Sequence, residues 1–120
     1  MRGERQQAMM LRTKRFALAV IRLYSSMSRS TVDQVLGKQL LRSGTSVGAH
    51  YREACRAKSN ADFVSKIEGA LQELDETVYW LELVQESFPA TSSQVEPLTT
   101  EANELISVFV TVTRSVKALQ

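Results

Sequence analysis

The chain reads as an all-α protein, a single-domain antiparallel up-down-up-down four-helix bundle, and three observations predict it. Apolar residues recur at steps of three and four through four long segments, the spacing that lines one face of a helix. Only short polar clusters separate those segments, and short connectors make consecutive helices antiparallel neighbours. No turn signals recur at the roughly 8–12 residue spacing of sandwiches and barrels, and both prolines, Pro89 and Pro97, fall around one connector. With 120 residues and 43% hydrophobic content, the chain can bury one core without disulfides or metals.

The first helix is predicted from about residue 4 to 27. Phe16, Val20, Leu23 and Met27 form its stripe, Ala17, Ile21 and Tyr24 widen it, and the opposite face is basic. The cluster SSMSRST ends it, and Thr31 with Gln34 fits a capping box that opens a second helix over about 32–57. That helix carries Leu36, Leu40, Gly44, Val47, Tyr51 and Ala54 as its stripe, with Leu41, Gly48 and Cys55 beside it. An interior glycine costs a helix about 1 kcal/mol relative to alanine, so Gly44 and Gly48 imply close approach of a neighbouring backbone or large side chain. Ser43, Thr45 and Ser46 extend this low surface, and Arg42 and Arg52 beside it exclude a lipid-embedded helix.

Ser59 and Asp62 mark the start of a third helix over about 60–87. Val64, Ile67, Leu71, Leu74, Val78, Leu81, Gln85 and Phe88 alternate by three and four, a heptad seam. Tyr79, Trp80 and Leu83 lie off that seam on the side facing away, so another helix or another chain must cover them; another chain is the expectation. The fourth helix is predicted over about 94–118, capped by Ser93 with Glu96 and carrying Pro97 in its first turn. Its stripe runs Val95, Leu98, Ala102, Leu105, Phe109, Val112, Val116 and Leu119. Ile106, Val108, Val110 and Val112 also alternate as a strand would, but the longer heptad pattern outweighs them and a lone strand would lack a partner.

Catalytic chemistry finds little footing. Glu73, Asp75 and Glu76 cluster, yet no Glu-x-x-His pair accompanies them as di-iron bundles require. His50 and Cys55 are five residues apart on different helix faces, and Gly44–Gly48 follows no strand and lacks the lysine of a phosphate loop. No cofactor, metal or small-molecule substrate is expected. The single Cys55 forms no internal disulfide, the amino terminus lacks the apolar core of a secretory signal, and no run approaches the ~18 apolar residues of a membrane span. A cytoplasmic protein with no membrane partner is the expectation. If the second and third helices turn near Lys58 and Ser59, Arg42 comes opposite Asp75 and Glu76, and Glu53 opposite Lys66.

Charge is uneven although the net is only +2. Residues 1–58 are strongly basic and residues 59–90 strongly acidic. Two readings fit: a nucleic-acid face built from Arg12, Lys14, Arg15, Arg22, Arg29, Lys38 and Lys58, or mutual attraction of helices, including the acidic third helix of a neighbouring subunit.

One stretch carries a family likeness. Gln39, Leu40, Arg42, Ser43, Ser46, Gly48, Ala49, Glu53 and Ala54, followed by Asp62, Phe63, Glu76, Tyr79, Trp80 and Leu81, resemble the bacterial four-helix bundle proteins encoded in intervening sequences of large-subunit (23S) ribosomal RNA genes. The likeness extends over about residues 8–118, with His50 standing where the family usually has asparagine. It implies an up-down-up-down bundle, a homopentameric ring, no enzymatic activity, and similarity to the accessory variability proteins of diversity-generating retroelements, which bind RNA and a reverse transcriptase. Arg42, Ser43, Gly44, Ser46, Gly48, Glu53 and Glu76 are then the structural motif, and Tyr79, Trp80 and Leu83 the candidate subunit interface.

Overall fold

The computed structural model describes residues 3–119. Four helices follow one another, α1 (Glu4–Ser26), α2 (Thr31–Cys55), α3 (Asn60–Ser87) and α4 (Ser92–Lys117), with a single 3-10 turn at Pro89–Thr91 before the last. They lie side by side in a body of 47 × 22 × 21 Å. Each neighbouring pair is antiparallel. Tyr24, Val20 and Thr13 of α1 lie against Gly37, Gly44 and Gly48 of α2 in reverse order. Arg42 meets Glu76 and Glu53 meets Lys66 between α2 and α3. Gln85 meets Glu96 and Glu68 meets Lys117 between α3 and α4. α1 and α3 stand at diagonal corners without contact.

The helix starts show how local sequence sets the connectors. Ser30, one residue before the expected Thr31, caps α2 by accepting the Asp33 amide, while the Ser30 amide donates to the Ser28 hydroxyl and not to a box partner. Asp33 is itself buried and accepts from both the amide (2.8 Å) and the hydroxyl (2.5 Å) of Ser28, tying the α1–α2 turn to the positive end of α2. Gln34 is used elsewhere: its amide nitrogen donates to the Ser28 carbonyl and its oxygen accepts from the Tyr24 hydroxyl. Ser59 caps α3 through the Asp62 amide as expected. The expected Ser93 cap of α4 does not form. The 3-10 turn runs into a helix that begins at Ser92, so Pro97 sits in its second turn.

The core is a column of apolar side chains including Phe16, Val20, Leu40, Val47, Ile67, Leu74, Leu81, Leu98, Leu105 and Phe109. Tyr51 and Phe109 stack across it with ring centroids 5.5 Å apart, joining the diagonal pair α2 and α4. Burial raises the Tyr51 hydroxyl above its ordinary pKa, with Cys55 adding to the effect. Several stripe positions shift. Ile21 is 40% exposed instead of widening the α1 stripe. On α3, Ala70, Thr77 and Val84 are fully buried while Leu71, Val78 and Gln85 are half-buried, because α3 packs against α2 and α4 together and its buried face spreads toward α2. On α4 the stripe passes from Val112 to Thr113 and leaves Leu119 exposed, the drift expected when a 3.6-residue helix is read with a 3.5-residue repeat.

The two glycines have the packing reason expected of them, and their neighbour is α1. A Cβ on Gly44 would lie 2.8 and 2.9 Å from the γ carbons of Val20, and one on Gly48 would lie 3.1 Å from the Thr13 hydroxyl oxygen. Ser43, one residue away, faces α3 instead, where the Thr77 hydroxyl reaches it at 2.9 Å.

Candidate nucleic-acid interface

Ion pairs within the bundle consume part of the basic sequence. Arg12 forks onto Glu101 of α4 with its Nε and Nη2 at 2.8 and 2.7 Å, and Glu104 lies at 3.7 Å. This hydrogen bonding holds the guanidinium pKa above its ordinary value against the lowering by burial. Arg42 bridges Glu76 at 2.7 Å and Glu73 at 3.3 Å, and Lys66 approaches Glu53 at 3.9 Å. Asp75, expected opposite Arg42, is exposed and makes no ion pair within the described residues. The His50 ring packs on Gly69 and lies 3.8 Å from carboxylate oxygens of Glu53 and Glu73. Among the described residues no group of three or more His, Cys, Asp and Glu side chains could hold a metal.

The seven basic candidates therefore do not converge on one place. Arg12, Arg15 and Arg22 run along the side of α1 next to α4. There the helices leave a groove of about 460 Å³ with Arg15 and Arg22 on its rim and Phe16, Leu23 and Leu98 beneath. Arg29 lies at the α1–α2 turn beside Tyr24 and Gln34, and Lys58 at the opposite end beside the start of α3. Lys14 and Lys38 belong to the α1–α2 side. Lys14 flanks a shallower cleft of about 340 Å³ with Arg52 across from it and Ala17, Gly48 and Ala49 as its low floor.

Arg52 and Arg56 are missing from the sequence-derived set. Both are exposed, Arg52 in the last turn of α2 and Arg56 at its C-cap, and among the described residues neither makes an ion pair. A readable signal existed, because Lys38, Thr45 and Arg52 are spaced by seven and share one helix edge. The expected aromatic patch also divides. Tyr79 is 53% exposed, whereas Trp80 and Leu83 are half-buried, Trp80 packing on the core and meeting the Tyr79 ring edge-on at 5.1 Å.

An antiparallel bundle with a glycine-tightened α1–α2 edge and cations left free of internal pairing defines a class of small basic helical proteins. Residues 5–110 match the family model described as 23S rRNA-intervening sequence protein. The chain belongs to that family. A solved structure from Bacteroides thetaiotaomicron, described as a protein with unknown function from the S23 ribosomal protein family, is 35% identical to it with a TM-score of 0.83. The match covers 91% of this chain and 97% of that one. No curated protein matches the chain. No described helix is long and apolar enough to cross a membrane.

Proposed function

We propose that this protein is a non-enzymatic, self-associating RNA-binding bundle of the cytoplasm whose α1–α2 edge contacts phosphates. One observation carries the reading: Lys14 and Arg52 face each other across a cleft floored by Ala17, Gly48 and Ala49, and no carboxylate of the described bundle neutralises either cation. Lys38 continues the same edge of α2, Arg56 stands at its C-cap, and Arg29 and Lys58 lie at the two ends. Phosphate contacts of this type position a backbone and carry no base code, so structured RNA recognised by shape is the fitting class of ligand. Self-association is supported by the exposed apolar side chains Val32, Val35 and Tyr79, and a homopentamer is the expected assembly within this reading.

Gel shifts on a structured RNA across a salt series test the reading. Binding should weaken steeply with salt, on the scale of ~0.9 log units per neutralised phosphate for each tenfold rise on duplex DNA and less on single strands. Lys14→Glu with Arg52→Glu should abolish the shift, and no wild-type shift at low salt would refute the proposal. A second reading, a protein-interaction scaffold serving a reverse transcriptase or ribonucleoprotein without touching nucleic acid, is supported by Arg12, whose charge is met by Glu101 and Glu104 inside the bundle. That reading expects no shift at any salt.

A further inference from the structure

The outer faces of α1 and α3 carry the same spacing with opposite charge. On α1, Arg15, Ala19 and Arg22 follow one another at steps of four and three along the rim of the α1–α4 groove. On α3, Asp75, Tyr79 and Glu82 follow at the same two steps. Ala19 is a small residue over an apolar floor, whereas Tyr79 is a large exposed ring braced by Trp80. One face is a hole between two cations, its one carboxylate, Glu101, held by Arg12, and the other a knob between two anions. Among the described residues none of the four charged side chains is engaged in an ion pair.

Height along the bundle agrees to within about one helical turn. Val20 of α1 packs on Gly44 of α2, and the neighbouring rungs Ser43–Thr77 and Arg42–Glu76 carry that level across to α3. Val20 is thus level with about residue 76, and Asp75, Tyr79 and Glu82 stand about one helical turn, about 5 Å, further along the axis than Arg15, Ala19 and Arg22, within the reach of an arginine side chain. Pairing the faces, Asp75 with Arg15, Tyr79 with Ala19 and Glu82 with Arg22, between copies with parallel axes takes a stagger of about one helical turn. Within one chain they cannot meet, because α1 and α3 occupy diagonal corners.

We propose that a second copy of this chain docks its α3 face, Asp75–Tyr79–Glu82, into the α1–α4 groove at Arg15–Ala19–Arg22, with the Tyr79 ring seated over Ala19. This rests on the self-association proposed above and assigns it two different faces. Each subunit offers one knob and one hole, so the contact is heterologous and propagates head to tail until a ring closes. Opposite charges at matched spacing fix the register of such a contact. Arg15 and Arg22 then leave the RNA surface, and Lys14, Lys38, Arg52 and Arg56 remain on it.

Light scattering on a sizing column tests the docking, with circular dichroism confirming that each variant is folded. The wild type should run as a multiple of the single-chain mass. Arg15→Glu with Arg22→Glu, or Asp75→Arg with Glu82→Arg, should each reduce it to the single-chain mass, because every interface in the assembly is reversed. Ala19→Trp, which fills the hole without changing charge, should do the same. Combining all four reversals in one chain should restore the higher mass. A single-chain wild type, reversed variants that keep the wild-type mass, or a folded fourfold swap that stays single-chain would each overturn the proposal. RNA binding is read separately by the Lys14 and Arg52 variant. An Arg15 and Arg22 variant that keeps its mass but loses RNA also overturns the docking and returns those arginines to the RNA surface.

Discussion

Gly44→Ala should destabilise the protein even though alanine is the better helix former, and the size of the effect follows from two opposed terms. An added Cβ would lie 2.8 and 2.9 Å from the two γ carbons of Val20, well inside the ~3.5–4.0 Å carbon–carbon optimum. Valine cannot turn out of the way, since it is β-branched, stiff at χ1 and fully buried, and both of its methyl groups already face the glycine. Overpacking of this kind costs about 1–3 kcal/mol. The helix-propensity gain of replacing an interior glycine is about 1 kcal/mol, so the net loss should reach up to about 2 kcal/mol. Val20→Ala alone removes two buried methyl groups and should cost about 2 kcal/mol. In that background both γ carbons are gone and only the residue-20 Cβ, 3.2 Å away, has to yield by a few tenths of an ångström, so Gly44→Ala should range from neutral to stabilising by about 1 kcal/mol, a coupling of up to about 3 kcal/mol between the sites. Urea unfolding of the four proteins of this cycle, followed by far-ultraviolet circular dichroism, measures it. Gly44→Ala stabilising the wild type, or having the same effect with and without Val20, would refute close α1–α2 packing as the reason for the glycine. Gly48→Ala is the graded comparison: its Cβ would meet Thr13 at 3.1–3.3 Å, so a shift of a few tenths of an ångström suffices and the change should be nearly neutral.

Two further measurements probe buried polar groups. Thr77→Val should cost about 1–2 kcal/mol because it removes the 2.9 Å contact with Ser43, and Ser43→Ala with Thr77→Val should cost less than the two singles added, as read by urea midpoints. Tyr51 should make stability fall in alkali. Its raised pKa means the fold favours the neutral phenol, so its contribution is complete below the ordinary tyrosine value of about 10 and is lost as pH rises through the raised folded value. Tyr51→Phe should flatten that part of the curve of melting temperature against pH, and an unchanged decline would assign it to other groups.

The bundle was legible because its helices are long and their apolar spacing is regular, and the Arg42–Glu76 and Glu53–Lys66 rungs followed from the position of one turn. Helix starts were less legible where two cappers compete. Ser30 and Thr31 are chemically alike, and only Asp33, drawn inward by two donors from Ser28, decides between them. At Pro89 a 3-10 turn supplies carbonyls to the incoming chain, so α4 begins without the side-chain cap sought at Ser93. A heptad count could not foresee Ala70, Thr77 and Val84 as core, because a helix packed on two sides buries small residues flanking the seam. The basic residues were harder still. Sequence gives their number but not their internal partners, so Arg12, clasped by Glu101, stood beside Lys14, which has none among the described residues.

The glycines of α2 also act on a surface they never reach. A helix held between two neighbours can draw close to one only by standing away from the other. Gly37, Gly44 and Gly48 let α1 settle onto α2, and the slack appears on the far side as the groove against α4. The width of that groove is thus governed from behind, by side-chain atoms that α2 lacks. Glycines on the far side of α1 set the room available to a ring from outside.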